Sequence, residues 1–238
     1  MTSARLVSCT MPTANRRAFV PLAVGSFLAQ DYPSCELLVL DDGRDPIEDL
    51  MPVDDRVRYV RLDRHVSLGA KRNLACAAAR GDIIVHWDDD DWSAPWRVSY
   101  QVDALAREGA EVCGLDRVFF YDPVAARAWR YAFPRGTRPW VHGASLCYCR
   151  SYWARNPFPE VNVGEDTRFV WGPRPGRTVA LPDPRFFVGT VHAGNTSPKR
   201  TRDPRWESIP STDIEALMAD ACEAYRAALT ASAVAAAS

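Results

Sequence analysis

The sequence lacks the features that mark a secreted, membrane-spanning or nucleic-acid-binding protein. No window reaches about 18 uninterrupted apolar residues, the length of a membrane span. The N-terminal segment has no apolar run typical of a signal peptide. The formal net charge is −1, so there is no large basic field to attract a nucleic acid. We therefore expect a cytoplasmic protein with no transmembrane segment and no nucleic-acid partner.

Several common motifs are also missing. The seven cysteines are odd in number and include no CxxC pair, which disfavours both a disulfide framework and a structural zinc site. There is no GxGxxG after the first predicted strand and no GxxxxGK[ST] at any position. The usual dinucleotide-binding and P-loop interpretations are therefore excluded.

The segments that are present predict one α/β domain. With 238 residues and 47% hydrophobic residues, the chain is long enough and apolar enough to bury a core. Apolar runs and helix-forming segments alternate, which predicts a layered fold with a largely parallel sheet. The expected strands are 5–10, 35–41, 57–62 and 82–87, and the expected helices are 17–29, 68–81, 93–108 and 214–228.

Polar segments follow three of these strands: "TMPTANR", "LDDG" and "HWDDDD". Ligands of open α/β sheets gather outside the carboxyl ends of the strands. The three segments together therefore favour a nucleotide or sugar-phosphate site at one edge of the sheet.

The stretch "HWDDDDW" at 86–92 concentrates four carboxylates. Two unit charges about 4 Å apart repel by about 1 kcal/mol in water and by more in a less polar medium. A partly buried cluster therefore needs a cation or a proton. If the strand continues, Asp88 and Asp90 share one face and reach a single Mg²⁺ or Mn²⁺ ion together. The alternative, an exposed turn with one capping aspartate, accounts for one carboxylate and leaves three unexplained.

Residues 7–45, together with "LGAKRNLACAAARGDIIVHWDDDDWSAPWRV" at 68–98, resemble the family 2 glycosyltransferases of the GT-A fold. That fold is a Rossmann-like, mostly parallel central sheet flanked by helices, in a single domain with a loop-rich C-terminal acceptor half. Ala14 and Arg44 depart from the residues usual in the family, but neither change removes a group that the chemistry needs.

The resemblance implies a nucleotide-diphosphate sugar as donor, most often a UDP-sugar, and Mn²⁺ or Mg²⁺ as cofactor. Asp42 matches the position that contacts the base, and Arg72 matches one close to the base or diphosphate. Asp90 matches the metal ligand of the DxD motif, with Asp88 nearer the ribose and able to share the metal. The remaining residues assigned to donor binding in this half are Thr10, Pro12 and Asp89.

The C-terminal half carries an acid pair, Glu165 and Asp166, in "NVGEDTRFVW". The pair is similar to the "ED" motif of inverting members, in which one carboxylate is the catalytic base. The resemblance makes Asp166 the expected base and Glu165 the second catalytic candidate. A helix-start acid pair is the alternative. His192 is a candidate third metal ligand, and Lys199 and Arg200 are candidates for holding the diphosphate. A solvated basic loop is the alternative for the last two.

These expectations divide the chain into a glycosyltransferase domain over 1–210 and a C-terminal helix with an alanine-rich tail over 211–238. Within the domain, about 1–110 would bind the donor and about 111–210 the acceptor, a small molecule or a glycoconjugate. Aromatic residues of the second half are candidates for the acceptor site: Trp129, Tyr131, Trp140, His142 and Trp153. Two other functions stay open, a sugar-1-phosphate nucleotidyltransferase and a non-catalytic nucleotide-sugar-binding protein.

Overall fold

The computed structural model describes residues 5–134, 136 and 138–237, with the description of 233–237 limited to the backbone. Residues 1–4 and 238, at the ends of the two expected units, lie outside the described residues. The strands are β1 (Val7–Thr13), β2 (Cys35–Asp41), β3 (Val57–Arg61), β4 (Ile83–His86), β5 (Trp92–Ser93), β6 (Val112–Gly114), β7 (Arg117–Asp122), β8 (Arg127–Ala132), β9 (Cys147–Cys149), β10 (Thr178–Ala180), β11 (Phe187–Thr190) and β12 (Trp206–Ile209).

The helices lie mainly between the strands of the first half and at the C-terminal end. Short 3-10 turns occupy Glu48–Leu50, Gly143–Ser145 and Pro184–Phe186. The α-helices are α1 (Val20–Leu28), α2 (Leu68–Ala78), α3 (Arg97–Glu108), α4 (Arg150–Arg155), α5 (Glu165–Val170), α6 (Ser211–Met218) and α7 (Ala221–Ala237).

The larger sheet has the strand order β10-β6-β9-β4-β1-β2-β3. It is parallel except where β9 runs antiparallel to its neighbours β4 and β6. Strands β1, β2 and β4 are buried at every residue. Covering on both faces explains why these segments are continuous apolar runs rather than alternating ones. The expected α/β class with a mostly parallel sheet is confirmed.

A smaller mixed sheet forms from the second half of the chain, in the order β12-β8-β7-β11-β5. Strand β5 belongs to it although it lies directly after the aspartate run, and it pairs antiparallel with β11. The segment that follows the aspartates therefore leaves the larger sheet and joins the smaller one.

Several predicted boundaries were wrong, among them the end of β1 and the start of α3. Strand β1 continues to Thr13 instead of ending at 10, because it pairs with β2 as far as Asp41. Pro12 fits there because its nitrogen faces the side on which β4 has already ended. Helix α3 begins at Arg97 rather than near Ser93, which lies in β5. It ends as expected, with Gly109 at a φ of +55°.

The predicted helix 214–228 is interrupted. Ala219 has a φ of +47°, which a residue with a Cβ rarely adopts, and this conformation separates α6 from α7. Ile214, Met218 and Tyr225 are nevertheless buried in the main hydrophobic core. The two helices therefore pack on the same body as the sheets.

Candidate active site

A cleft of about 880 Å³ opens at the carboxyl ends of β1 and β4 and extends to the smaller sheet. Both halves of the chain line it. Among the residues that line it are Pro12, Arg16, Lys71, Arg72, Asp88, Asp89, Asp90, Asp91, Phe120, Tyr131, Trp140, His142, Gly143, Glu165, Asp166, Lys199, Arg200, Arg205 and Trp206.

The four aspartates 88–91, here called the acidic turn, do not continue the strand. Strand β4 ends at His86, and Asp89 and Asp90 form a turn before β5. The expectation that Asp88 and Asp90 share the face of an extended segment is therefore wrong. Strand alternation no longer applies, and each carboxylate has its own surroundings.

Asp88 and Asp90 have different partners. An Oδ1 atom of Asp88 lies 3.3 Å from the guanidinium of Arg72. Asp90 Oδ2 lies 2.9 Å from His192 Nε2 and 3.7 Å from the guanidinium of Arg16. Burial raises the pKa of Asp90, but the bond with His192 and the charge of Arg16 outweigh it, so the pKa lies below its usual value. Asp90 is thus held as a carboxylate.

The carboxyl groups of Asp89 and Asp91 have pKa values above the usual one. Burial, and next the charge of Asp90, raises the pKa of Asp89 to about 8. Burial and the same charge raise the pKa of Asp91 well above its usual value. Asp91 Oδ1 accepts a hydrogen bond from the Thr190 backbone N–H at 2.8 Å. Protons therefore relieve part of the repulsion within the acidic turn.

Arg72 links the acidic turn to the acid pair Glu165–Asp166. Its guanidinium lies 3.3 Å from Asp88 Oδ1 and 3.4 Å from Glu165 Oε1, and its side chain is only 4% exposed. Its NH1 atom is buried and has no hydrogen-bond partner among the described residues. Such an unpaired donor beside the cleft fits an anionic ligand, because an unsatisfied buried donor is costly.

The acid pair begins α5, preceded by Gly164 at a φ of +78°. Glu165 is buried, and burial raises its pKa against the opposing charge of Arg72. Asp166 is half-buried, and its Oδ1 accepts from the Thr167 N–H at 2.6 Å. A Cβ placed on Gly143 would lie 2.2 Å from Asp166 Oδ2. Asp166 therefore rests directly against the Gly143 backbone.

Asp42 lies behind the wall of the cleft rather than in it. Its side chain is fully buried and accepts from Lys71 Nζ, and His65 Nδ1 lies 3.1 Å from its Oδ2. It also accepts from the Val66 N–H at 3.0 Å. Burial raises the pKa of Asp42, but Lys71 and Val66 outweigh it and lower the pKa overall. Asp42 positions Lys71 and the 65–66 loop, which do line the cleft.

The two candidates from β1 have different positions. Pro12 lines the cleft. Thr10 is buried within the sheet, outside the lining, and its hydroxyl has no partner among the described residues. The structure therefore does not bring Thr10 to the other candidates.

The loop after β11 covers one side of the cleft. His192 reaches Asp90, and the guanidinium of Arg16 donates to the Gly194 carbonyl of the same loop. Lys199 Nζ lies 5.2 Å from the centre of the Phe120 ring, and Arg200 also lines the cleft. The loop thus brings basic side chains to the cavity that holds the acidic turn.

A divalent cation fits this arrangement in part. The described residues contain no group of three or more His, Cys, Asp and Glu side chains close enough to hold a metal ion. Asp90 and His192 do adjoin, while Asp88 faces Arg72. Oxygen and imidazole ligands suit Mn²⁺, and such ions commonly take one or two protein carboxylates and complete their shell with water and substrate phosphates. Asp90 and His192 therefore fit such a shared site.

A family model described as "Glycosyl transferase family 2" matches residues 8–161. The chain belongs to this family. The matched span runs from β1 to just before the acid pair, so it contains Asp42, Arg72 and the acidic turn.

Curated relatives of this family 2 chain match over part of its length. Escherichia coli WcaA, named as a colanic acid biosynthesis glycosyl transferase, is 36% identical over 99 residues, which is 40% of this chain and 36% of the relative. Rhizobium meliloti ExoO, a succinoglycan biosynthesis protein, is 36% identical over 38% of this chain and 27% of its own length. The matches thus span about a third of these relatives.

Solved structures show the same fold at low identity. Staphylococcus aureus TarS 1-349 with UDP-GlcNAc has a TM-score of 0.62 and 17% identity, over 80% of this chain and 60% of its own. The mannosyltransferase PcManGT of Pyrobaculum calidifontis, with GDP-Man and Mn²⁺, has a TM-score of 0.61 and 20% identity, over 99% and 76%. The expected GT-A fold is confirmed. Among the described residues, no helix is long and apolar enough to cross a membrane.

Sequence reasoning missed several residues of the cleft. Arg16 belongs to the "TANRR" segment, and its proximity to the first strand end was an available signal. Phe120, Arg205 and Trp206 come from β7 and β12 and the loop before β12, whose place beside the acid pair no local pattern reveals. Of the five aromatic candidates, Tyr131, Trp140 and His142 line the cleft, whereas Trp129 and Trp153 do not.

Proposed function

We propose that this family 2 chain transfers one sugar from a nucleotide-diphosphate donor, a UDP-sugar, to an acceptor hydroxyl with inversion at the anomeric carbon. The observation that carries the proposal is that one cleft joins the acidic turn to the acid pair through Arg72. Binding groups for a charged donor and a candidate base therefore face the same space.

Cationic side chains are the proposed contacts of the donor diphosphate. Arg72 has an unpaired NH1 atom, and Lys199 and Arg200 line the same cleft. Arginine and lysine both bind phosphate well. TarS and PcManGT, which share the fold, carry UDP-GlcNAc and GDP-Man in their solved structures, which supports a nucleotide sugar as the donor. The choice of uridine rests on the family resemblance.

Asp166 is the proposed base. Glu165 is engaged by Arg72 and buried, whereas Asp166 is half-buried and faces the cleft. Asp166 would take the proton from the acceptor hydroxyl as its oxygen attacks the anomeric carbon and the bond from that carbon to the diphosphate breaks. The adjacent Gly143 backbone and the Thr167 N–H fix the orientation of the carboxylate.

Asp90 and His192 are the proposed protein ligands of Mn²⁺ or Mg²⁺, with Asp88 close by. When bound, the cation would neutralise the negative charge that develops on the leaving diphosphate. The side chains of Asp89 and Asp91, whose pKa values are raised, would carry protons in its absence.

We also propose that the two halves of the domain have different roles, with about 1–110 holding the donor and about 111–210 the acceptor. The C-terminal unit, 211–238, would contribute a helix that contacts the site. The acceptor would be a small molecule or a glycoconjugate. In support, Tyr225 of α7 donates to the Asp91 carbonyl at 2.7 Å, so the C-terminal helix contacts the acidic turn.

Thermal unfolding tests the donor site first. The melting temperature is measured with UDP, GDP, TDP and CDP, each with and without Mn²⁺. A nucleotide at about 100 times its dissociation constant stabilises a protein by about 2.7 kcal/mol. We expect a manganese-dependent shift with UDP. A shift with another nucleotide would correct the base, and no shift with any of the four would overturn the proposal.

A second measurement separates an enzyme from a binding protein. Release of UDP from a UDP-sugar, by hydrolysis or in the presence of acceptors, is followed with the same preparation. Saturable nucleotide binding without any turnover would favour the non-catalytic alternative.

A further inference from the structure

Four aromatic side chains form a continuous surface at the end of the cleft beside the acid pair. This aromatic wall consists of Phe120, Tyr131, Trp140 and Trp206, all of which line the cleft. The Trp206 ring centre lies 4.6 Å from that of Phe120 and 5.2 Å from that of Tyr131. Tyr131 lies 5.9 Å from Trp140, so it stands between the two indoles.

The members of the aromatic wall differ in burial. Phe120 and Tyr131 are 2% and 9% exposed and form its base. Trp140 and Trp206 are half-buried, although both are large apolar side chains. Phe133 stacks on Trp140 with ring centres 4.2 Å apart, which fixes that indole in place. Core packing accounts for the base of the wall but leaves indole surface facing the cleft.

The aromatic wall adjoins the proposed base. Trp140 Nε1 donates to Thr167 Oγ1 at 3.2 Å, and Thr167 directly follows Asp166. On the other side, Asp166 rests against Gly143, the neighbour of His142. A molecule packed on the wall therefore lies beside the carboxylate that would activate it.

His142 supplies an unused polar group at this position. Its side chain lines the cleft and makes no hydrogen bond within the described part of the chain, and its Nδ1 atom is buried without a partner. Burial, and next the charge of Lys199, lowers the pKa of His142 to about 3. The imidazole is therefore neutral near pH 7, and a neutral imidazole has one donor and one acceptor nitrogen for hydroxyl groups.

We propose that the acceptor is a saccharide whose ring packs on Trp206 and Trp140 while a ring hydroxyl bonds to His142. This inference rests on the proposed function and adds the chemical class of the second substrate. The C–H face of a pyranose is apolar and its rim carries hydroxyls, which matches an aromatic surface beside a neutral polar group. An open-chain hydroxyl compound or a peptide hydroxyl presents no such face.

Tryptophan emission tests the inference without a donor. The protein is titrated with chitobiose, cellobiose and lactose, with sorbitol and N-acetylserine amide as ligands that have hydroxyls but no ring. We expect a saturable change with at least one disaccharide and none with the two controls. A response to sorbitol or the serine amide alone, or to none of the five compounds, would overturn the proposal.

Substitutions test which tryptophan side chains bind the disaccharide. Trp206→Leu and Trp140→Leu should each weaken disaccharide binding about tenfold, a change of about 1.4 kcal/mol in binding free energy. Trp206→Tyr should keep most of the affinity because it retains an aromatic face. Trp129→Phe is the matched control, since Trp129 is a buried neighbour of Trp206 that does not line the cleft. Unchanged binding in both leucine variants, with melting temperatures that show they are folded, would overturn the proposal.

Nucleotide binding distinguishes this failure from a failure of the proposed function. UDP with Mn²⁺ should shift the melting temperature of Trp206→Leu as much as that of the unaltered protein. A normal nucleotide shift together with no disaccharide binding would overturn the saccharide inference and leave the proposed function standing. Disaccharide binding without any nucleotide shift would overturn the acceptor role along with the proposed function.

Discussion

The cleft contains two clusters of carboxylic acid side chains, the acidic turn and the acid pair, and the two differ in burial and in the partners of their carboxyl groups. In the acidic turn, Asp90 is paired with His192 and Arg16, while the pKa of Asp89 is raised to about 8. In the acid pair, Glu165 is buried against Arg72, and Asp166 stays half-buried at the surface of the cleft.

The difference shows that burial and partners, rather than residue type, assign the roles. His192 and Arg16 lower the pKa of Asp90 against the effect of its burial, and the ionised carboxylate is the form that can coordinate a cation. A half-buried carboxylate with one backbone donor keeps the capacity to accept a proton. Arg72 contacts both groups through Asp88 and Glu165, so its position couples the acidic turn to the acid pair.

The largest expected effect on transfer is that of a substitution at Asp166. Asp166→Asn removes the proposed base but keeps the size and the hydrogen bond from the Thr167 N–H. We expect kcat for transfer to fall about a thousandfold, within the usual contribution of a general base. The dissociation constant of UDP, measured by calorimetry with Mn²⁺, should stay within about twofold.

Asp220→Asn is the matched control for Asp166→Asn, because Asp220 is exposed and lies between α6 and α7. Its kcat should equal that of the unaltered protein. Full activity in Asp166→Asn would show that another group takes the proton.

A substitution at Asp90 should instead affect the binding of UDP with Mn²⁺. In Asp90→Asn the proposed oxygen ligand becomes neutral. UDP at about 100 times its dissociation constant stabilises the protein by about 2.7 kcal/mol in total, and the part of that stabilisation that depends on Mn²⁺ should disappear. Differential scanning fluorimetry with and without Mn²⁺ measures it. A manganese-dependent shift in melting temperature equal to that of Asp220→Asn would show that Asp90 does not bind the metal.

Gly143→Ala tests whether Asp166, the proposed base of the acid pair, has to be held in one orientation. The new Cβ would lie 2.2 Å from Asp166 Oδ2, so the carboxylate has to move. A displacement of about 1 Å costs about a hundredfold in rate, so we expect kcat to fall by about that factor with UDP binding unchanged. The control is Gly25→Ala in α1, where the added Cβ meets nothing within 4 Å. Equal kcat in both variants would show that Asp166 needs no fixed orientation.

The sequence predicted the structure of residues 5–110 more fully than that of residues 111–210. Strands β1, β2 and β4 are covered on both faces, so their apolar runs are continuous and end at the polar segments of the cleft. The order of the strands and α-helices up to β4 could therefore be predicted from local patterns. The shape of the acidic turn could not, because β5 leaves the larger sheet to pair with β11, a contact distant in sequence.

The same limit applies to the partners of the site residues. That Asp42 holds Lys71 instead of facing the cleft depends on the packing of β2 against α2. Trp206 reaches Phe120 because β12 and β7 both pair with β8, and no spacing in the sequence encodes that pairing. The sequence therefore identified candidate site residues more readily than it predicted their positions and contacts.

The smallest expected effect concerns His142, which lies on the acid-pair side of the cleft. Burial and then Lys199 lower its pKa to about 3, whereas an unfolded histidine has a pKa of about 6.5. Between these values the unfolded chain binds a proton that the folded chain does not, so stability falls as the pH falls through this window. His142→Gln should remove that contribution and lose less melting temperature between about pH 6.5 and about pH 4. His86, whose pKa is also lowered by burial, is present in both proteins and cancels in the comparison. Parallel melting curves for the two proteins across this range would show that His142 takes up its proton in the folded state, and would place solvent rather than an apolar wall around its ring.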